Sequence, residues 1–187
     1  MDKKRCFWVN SDQIYIDYHD KEWGTPVYDD KTLFEFLILE TFQAGLSWIT
    51  ILKKRENFRK AFDDFDYQKI ALYSEEKYDS LLQDSGIIRN KLKVKSAITN
   101  AKFFMEVQKE FGSFSKFIWG YVDGKPIVNT FHKREDVPAT TELSDKISKD
   151  LKKRGFKFVG STVMYAYMQA VGMVNDHTTD CFRYNEI

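Results

Sequence analysis

The sequence predicts an all-α protein. Apolar residues recur at helical spacing, most clearly in KLKVKSAITNAKFFMEVQKEFG and in LFEFLILETF. Residues that favour helix N-termini stand before most such segments, and glycines follow several of them. The clear exception is VDGKPIVNTFHKREDVPATT, residues 122–141, where an Asp-Gly turn and two prolines predict a loop. Repeats, low-complexity segments and linkers are not evident, so we expect one domain over residues 1–187, built as two helical lobes.

Composition limits the possible functions. The chain has 187 residues, 43% of them hydrophobic, which is long enough to bury a substantial core. Lys+Arg number 29 and Asp+Glu 28, so binding to a polyanion must depend on local patches of charge. No apolar run reaches the length of a membrane span or resembles a signal peptide, and we expect a cytoplasmic protein without membrane contact. Two cysteines in such a chain indicate free thiols or metal ligands rather than a disulfide framework.

Helix starts follow from residues whose side chains accept a hydrogen bond from the first-turn N–H groups. The predicted N-cap residues, in chain order, are Asp29 or Asp30, Ser47, Asp66, Ser74, Ser113 and Ser144. The long helix beginning KLKVK should end at Gly112, and the last helix should run through STVMYAYMQAVG.

One carboxylate is predicted to lie where an apolar residue would be expected. Leu33, Leu37 and Glu40 fall at positions i, i+4 and i+7 of one helical face, so Glu40 lies on an apolar face. Glu35 falls on the opposite side and needs no special explanation. Because a buried carboxylate is costly without partners, Glu40 indicates a function.

Aromatic residues are concentrated in the same quarter of the chain: Trp8, Tyr15, Tyr18, Trp23 and Trp48. Most aromatic side chains of a helical protein belong to its core. Around a buried carboxylate, however, they also suit a pocket that stacks a flat cationic ring.

Four residues at the two ends of the chain form a possible metal site. His177 and Cys181 have the spacing of one helical turn, and Cys6 and His19 lie near the N-terminus. Two thiolates and two imidazoles suit tetrahedral zinc, closed against catalytic water. Spacing alone leaves open that the cysteines are buried thiols and His19 is a hydrogen-bonded surface residue. His132, in the predicted loop, should be solvated.

A turn between two predicted helices could bind an anion. Gly155 and Gly160 enclose FKFV, and Ser161 and Thr162 begin the next helix, so backbone N–H groups could face a DNA phosphate. The nearby basic residues are Lys152, Lys153, Arg154 and Lys157, and ILKKREN and NKLKVK contain others. The alternative is that the glycines form only a C-cap and a turn, and that the basic runs are solvated faces.

Several long segments together resemble one family. YIDYHDKEWG, LFEFLILE, QAGLSWITILKKREN, LLQDSGIIRNKLKVKSAITNA and LKKRGFKFVGSTVMYAYMQAVGMVNDH are similar to the 3-methyladenine DNA glycosylase I family of bacteria. The resemblance covers nearly the whole chain and is weakest over residues 123–141. It implies the helix-hairpin-helix DNA glycosylase fold, with the hairpin motif at about 144–172. It further implies a monomeric enzyme that acts on double-stranded DNA containing alkylated bases.

The resemblance also implies roles for individual residues. One structural Zn²⁺ per chain would bind Cys6, His19, His177 and Cys181. The hairpin would anchor a DNA phosphate through Gly155, Lys157, Gly160, Ser161 and Thr162. In QAGLSW, Gly45 and Leu46 would enter the gap left by an extruded nucleotide.

By the same resemblance, Glu40 is the carboxylate that hydrogen-bonds the extruded base. The aromatic walls of this pocket would be Trp8, Tyr15, Tyr18 and Trp48. Glu40 would then lie on an apolar face because that face opens into a base pocket. The family often has a glycine after this glutamate, whereas this chain has Thr41 and Phe42.

Two further positions bear on the reaction. Many relatives in the superfamily have a catalytic aspartate where this chain has Asn175, or Asp176 if the alignment shifts by one residue. Those with lyase activity have a lysine at the position matched by Thr162. The resemblance therefore implies hydrolysis of the glycosidic bond without strand cleavage.

Two other functions remain open at this stage. A non-catalytic zinc-stabilised DNA-binding module would give Glu40 no use. An enzyme acting on a free small purine would not need a basic hairpin.

Overall fold

The computed structural model describes residues 3–187, and over this range the chain is mostly helical. Its α-helices are α1 (Gln13–Lys21), α2 (Asp30–Gln43), α3 (Trp48–Ala61), α4 (Tyr67–Ile70), α5 (Glu75–Gln83), α6 (Lys91–Phe111), α7 (Phe114–Trp119), α8 (Glu142–Arg154) and α9 (Ser161–Ala170). Short 3₁₀ helices occupy Asp63–Phe65, Gly120–Val122 and Arg134–Asp136, and two strands are β1 (Ile127–Val128) and β2 (Val174–Asn175). Within the described residues, no helix is long and apolar enough to cross a bilayer.

Helix α2 is the centre of the core. Every residue from Leu33 to Phe42 is buried, and α2 packs against α3, α6, α7 and α9. Glu40 is buried, as expected, but the side of α2 opposite to it is buried as well. This helix has no polar face over that stretch, because other helices cover it on all sides.

Glu35 also departs from its prediction, because it is buried rather than solvated. Its Oε1 accepts hydrogen bonds from Arg55 Nε at 2.6 Å and from Arg59 Nη2 at 2.8 Å. Arg55 also pairs with Glu22 at 2.6 Å. The buried charges compensate one another, so Glu35 contributes to packing between α2 and α3.

Most predicted helix starts are confirmed. Helices α2, α4, α5 and α7 begin after capping residues Asp29, Asp66, Ser74 and Ser113. Ser47 precedes α3, but its hydroxyl forms a hydrogen bond with Thr50 Oγ1 at 2.7 Å instead of capping the backbone.

The predicted start of α8 at Ser144 was wrong. The helix begins at Glu142 after Thr141, whose hydroxyl accepts from the N–H of Ser144, while Ser144 Oγ accepts from the N–H of Thr141. This reciprocal pair is a capping box with serine at the third position, so the same residue types fit either boundary. Helix α1, capped by Asp12, was not predicted.

The all-α prediction holds for the core but misses one strand pair. Strands β1 and β2 are parallel, with Ile127 opposite Val174 and Val128 opposite Asn175. They attach the loop 122–141 to the C-terminal segment. That segment is built of turns, so the prediction that His177 and Cys181 share a helical turn was wrong.

Helices α8 and α9 pack together and are joined by the hairpin, residues 155–160. Gly155 has a φ of 104°, and a Cβ there would lie 2.4 Å from the ring of Phe103. Asn100 holds the hairpin from α6, because its side chain accepts from the N–H of Lys157 at 2.8 Å and donates to the Lys157 carbonyl at 3.0 Å. Ser148 Oγ donates to the carbonyl of Val159 at 2.7 Å. These bonds fix the hairpin backbone.

Replacing Asn100 should destabilise the hairpin. Asn100→Ala would leave the N–H and carbonyl of Lys157 without these partners, and we expect a loss of about 1–3 kcal/mol in the free energy of unfolding. Urea denaturation measures this loss. Thr99→Ala is the matched control, because the Thr99 hydroxyl donates only within α6, to the Lys95 carbonyl. Equal stabilities of the two variants would contradict the role given to Asn100.

Candidate functional site

A cavity of about 270 Å³ opens beside the C-terminal end of α2. It is lined by residues from the segment before α1, from α1 and the turn after it, from α2, α3 and α9, from the loop 122–141 and from the segment after β2. These residues are Phe7, Trp8, Tyr15, Tyr18, Trp23, Glu40, Gln43, Trp48, Val137, Ala166, Gln169 and Asp176. The five residues predicted to form a base pocket therefore lie around one cavity.

Glu40 is the buried acid of this cavity. Its side chain is only 4% exposed, and burial raises the pKa of its carboxyl group to about 8. Within residues 3–187 it has no ion pair and no hydrogen bond to a protein group. Glu35, five positions earlier on the same helix, is neutralised by two arginines. The Glu40 carboxyl group is thus free to bind a guest.

The aromatic walls are packed against one another at fixed angles. The ring of Trp8 lies 5.1 Å from that of Tyr15 and 5.0 Å from that of Trp23, both edge to face. The rings of Tyr18 and Trp48 lie 5.4 Å apart. Burial is the main cause that raises the pKa values of Tyr15 and Tyr18, and the charge of Glu40 is the second. Both phenols therefore keep their protons at neutral pH. The indole N–H of Trp48 is buried without a hydrogen-bond partner among the described residues.

Asn175 and Asp176, the two candidates for the superfamily aspartate, have different surroundings. Asp176 lines the cavity, and its carboxylate accepts from Tyr165 at 2.6 Å, from Gln169 at 2.8 Å and from Asn129 at 2.7 Å. Asn175 instead donates to the carbonyl of Tyr184 at 3.0 Å and supports the C-terminal segment. A second carboxylate therefore belongs to the cavity.

Sequence reasoning missed part of the lining. Gln43 follows Glu40 by three residues and was detectable from helical spacing, whereas Val137 and Gln169 come from distant segments with no local signal. Thr41, at the position where the family often has glycine, is fully buried and donates to the carbonyl of Ile38 at 2.7 Å. The Thr41 hydroxyl therefore has its hydrogen-bond partner within α2.

The four predicted metal ligands meet in one buried cluster. The ligand atoms of Cys6, His19, His177 and Cys181 lie within 4.8 Å of one another. Cys6 Sγ is 3.4 Å from His177 Nδ1, and Cys181 Sγ is 3.4 Å from His19 Nε2. Sulfur and nitrogen ligands at tetrahedral angles around one zinc ion would lie about 3.5 Å apart. The residues therefore fit a metal ion.

Outer partners orient both imidazoles toward this centre. His19 Nδ1 bonds Asp20 at 2.8 Å, and Asp20 is held by Arg5 through two hydrogen bonds. His177 Nε2 bonds the carbonyl of Trp23 at 3.1 Å. Each ring thus presents its other nitrogen to the cluster, as in metal sites with an outer shell of acceptors.

The predicted hairpin residues lie on the surface. Lys157 and Thr162 are exposed, and Gly155, Gly160 and Ser161 are partly exposed. Gly160 precedes α9 without a side-chain cap, so the first-turn N–H groups of α9 lack a capping side chain. His132 is exposed, as expected.

Several basic residues proposed for DNA are engaged within the protein. Lys53 pairs with Asp12 at 2.6 Å, and Lys54 donates to the carbonyls of Ser85 and Gly86. Arg154 donates two hydrogen bonds to the carboxylate of Glu110, the shorter of them at 2.6 Å. Lys93 is buried. Local basic runs in the sequence therefore overstate the free positive surface.

Comparison with known proteins identifies the family. The model of the methyladenine glycosylase family matches residues 8–184. The chain belongs to the methyladenine glycosylase family. It is 51% identical over 177 residues to the DNA-3-methyladenine glycosylase of Haemophilus influenzae, covering 95% of this chain and 96% of that protein. It is 49% identical to DNA-3-methyladenine glycosylase 1 of Escherichia coli, covering 97% of each.

Solved structures of the family have the same fold. A crystal structure of 3-methyladenine DNA glycosylase I superposes with a TM-score of 0.93 at 50% identity, covering 96% of this chain and 98% of that one. The Staphylococcus aureus enzyme, described in a study of 3-methyladenine recognition, matches with a TM-score of 0.92 at 38% identity, covering 95% of each chain.

The buried acid should make stability depend on pH. The pKa of Glu40 is about 8 in the fold against an ordinary 4.5, so between these values the folded state holds a proton that the unfolded state has lost. Stability should therefore fall as pH rises, by about 1.4 kcal/mol per pH unit at most, and level off above pH 8. Urea unfolding from pH 5 to 8.5 should show this slope in the native chain relative to Glu40→Gln. Parallel stability curves would refute the burial argument.

Proposed function

We propose that this protein extrudes 3-methyladenine from alkylated duplex DNA, holds it in the cavity beside Glu40 and hydrolyses its N-glycosidic bond, leaving an abasic site. The proposed activity is supported by family membership and by about 50% identity to enzymes named DNA-3-methyladenine glycosylase. The observation that carries the site is an unpaired, buried carboxylate facing an aromatic cavity. A non-catalytic DNA-binding module would not retain such a costly group.

Charge complementarity selects the damaged base. Methylation at N3 fixes a positive charge on the adenine, and this charge favours the ionised form of Glu40 over the protonated form that burial favours. A normal purine brings no charge and meets a neutral acid. Stacking on Trp8 and Trp48 adds a cation–π term of about 0.5–2 kcal/mol per contact. A poorly pairing lesion also costs less to extrude than a normal base.

Binding the cation tightly does not by itself accelerate its departure, because it stabilises the substrate as well. The base leaves as a neutral molecule, so no acid is needed to protonate it. Glu40 therefore binds and orients the cationic base, and we assign the acceleration to groups that stabilise the sugar from which the base departs. The carboxylate of Asp176, on another wall of the cavity, would stabilise the positive charge that develops on the sugar.

The cavity supports hydrolysis rather than a lyase reaction. Among the described residues, no lysine lines it, so no amine is placed to form a Schiff base with the sugar. Thr162, at the position that a lysine occupies in lyases, begins α9 and is exposed. The product should be an intact strand with an abasic site.

Two surface elements are proposed to engage the duplex. The hairpin, with Gly155, Lys157, Gly160, Ser161 and Thr162, offers backbone N–H groups and a lysine to a phosphate. Gly45 and Leu46 lie in the turn after α2, and Leu46 is 37% exposed. In this proposal Leu46 enters the gap left by the extruded nucleotide. We further propose a single 1–187 domain that works as a monomer on the nucleoid in the bacterial cytoplasm.

We propose that the buried Cys₂His₂ cluster holds one structural Zn²⁺ per chain. Its ligand set is the one zinc takes in closed sites, and all four positions are filled by protein. When bound, zinc would join the N-terminal segment to the C-terminal one. The cluster takes no part in the chemistry.

The activity is tested by incubating the purified protein with methylated duplex DNA and identifying the released bases by chromatography. We expect release of 3-methyladenine and an uncut strand. Glu40→Gln should reduce the excision rate by about 10²-fold, because an oriented charged acceptor is lost from a desolvated site. Glu56→Gln, an exposed carboxylate on α3, is the control.

Each outcome has a distinct meaning. Absence of released base from any methylated DNA would favour the DNA-binding module. Equal rates for Glu40→Gln and the native chain would remove Glu40 from the reaction.

The metal assignment is tested by elemental analysis of protein purified without added metal. We expect about one equivalent of zinc. Cys181→Ser should lose it and become less stable by at least about 2.7 kcal/mol under conditions where zinc exceeds its Kd a hundredfold. His132→Ala, a histidine outside the cluster, should retain the metal. A native chain purified without metal at full stability would overturn the proposal.

A further inference from the structure

The turn that follows α2 is rigid. Leu46 N–H donates to the carbonyl of Gln43 at 2.6 Å, and Gln43 Nε2 donates to the carbonyl of Leu46 at 2.6 Å. Ala44 has φ −46° and ψ 115°, and Gly45 has a φ of 81°, as in a type II turn. We call residues 43–46 the wedge turn. It places Leu46 at the surface and Gln43 in the cavity wall.

A buried lysine from another helix holds this turn. Lys93, on α6, is 7% exposed, and its ammonium group donates to the carbonyl of Phe42 at 2.8 Å and to that of Ala44 at 2.6 Å. These carbonyls lie at the C-terminal end of α2, where the helix dipole is negative. Within the described residues its Nζ has no carboxylate partner. Burial lowers the pKa of Lys93, which shows that the site is costly for a cation.

A nearby lysine on the same helix has an ordinary surface environment. Lys95 is exposed and pairs with Glu75 at 3.2 Å. Replacing Lys93 with an apolar residue would remove the cost of burying charge, but the carbonyls of Phe42 and Ala44 would lose their hydrogen bonds to α6. A buried cation of this kind fixes a position rather than adding solubility.

We propose that Lys93 is a positioning residue that holds the wedge turn in the orientation needed to fill the gap in the duplex, and so joins base extrusion to the Glu40 pocket. This inference rests on the proposed role of Leu46. Extruding a paired base costs a few kcal/mol, and a turn that yields under the duplex would not offset that cost. A lesion in single-stranded DNA leaves no gap to fill. Lys93 should therefore matter for duplex substrates and much less for single strands.

The test compares single-turnover excision of 3-methyladenine from duplex and single-stranded DNA of the same sequence. For Lys93→Met we expect the duplex rate to fall by about tenfold or more, and the single-strand rate to stay within about twofold, because misplacing a positioning group is costly only where it acts. Lys93→Gln keeps an uncharged N–H donor group on a shorter side chain and should show a smaller loss of the same kind. Lys95→Met, which removes the same charge from the same helix, should keep the native ratio of the two rates.

The variant Leu46→Ala tests the proposed wedge role of Leu46 separately from the proposed role of Lys93. If Leu46→Ala lowers the duplex rate and both Lys93 variants do not, the inference is overturned and the wedge stands. If Leu46→Ala leaves the ratio unchanged, the proposed wedge itself fails. Equal losses on both substrates for both Lys93 variants would mean a role in folding alone, and would also overturn the inference.

Discussion

Desolvation of one unpaired carboxylate is the constraint on which the candidate site depends. Helix α2 carries two buried glutamates, and only Glu35 is neutralised by arginines. Glu40 is left without such a partner, and its raised pKa shows what that costs. A cationic guest compensates this cost, whereas a neutral guest does not. In the proposed function, the burial that disfavours the ionised form of Glu40 in the empty cavity provides selectivity for a charged base.

The cavity walls come from the two ends of the chain, and the Cys₂His₂ cluster joins those ends. The ring of Trp8 lies 5.3 Å from His19, and the ring of Trp23 lies 4.6 Å from His177. Asp176 directly precedes His177 and faces the cavity. The cluster is thus one layer behind the aromatic walls. A metal bound there would act on the pocket by holding its walls rather than by chemistry.

Buried polar side chains serve the two surfaces proposed to meet DNA. Asn100 and Lys93 both project from α6, the first to the hairpin and the second to the wedge turn. Both satisfy backbone groups that would otherwise lack partners. Helix α6 therefore acts as a common support for the two surfaces proposed to contact the duplex. Neither residue needs to touch DNA to affect binding or extrusion.

The sequence by itself determined the helical class and most N-caps, because these follow from residue type and local spacing. The grouping of Cys6, His19, His177 and Cys181, which lie at opposite ends of the chain, depends on the tertiary fold. Tertiary structure decided which charges are free. Lys54, Arg55 and Lys93 look like surface basic residues in the sequence, yet each is committed to a carbonyl or carboxylate that is distant along the chain. Asp176 rather than Asn175 faces the cavity because Asn175 ends β2, and consecutive residues of an extended chain point to opposite sides. Such pairings depend on long-range packing, which no local pattern records.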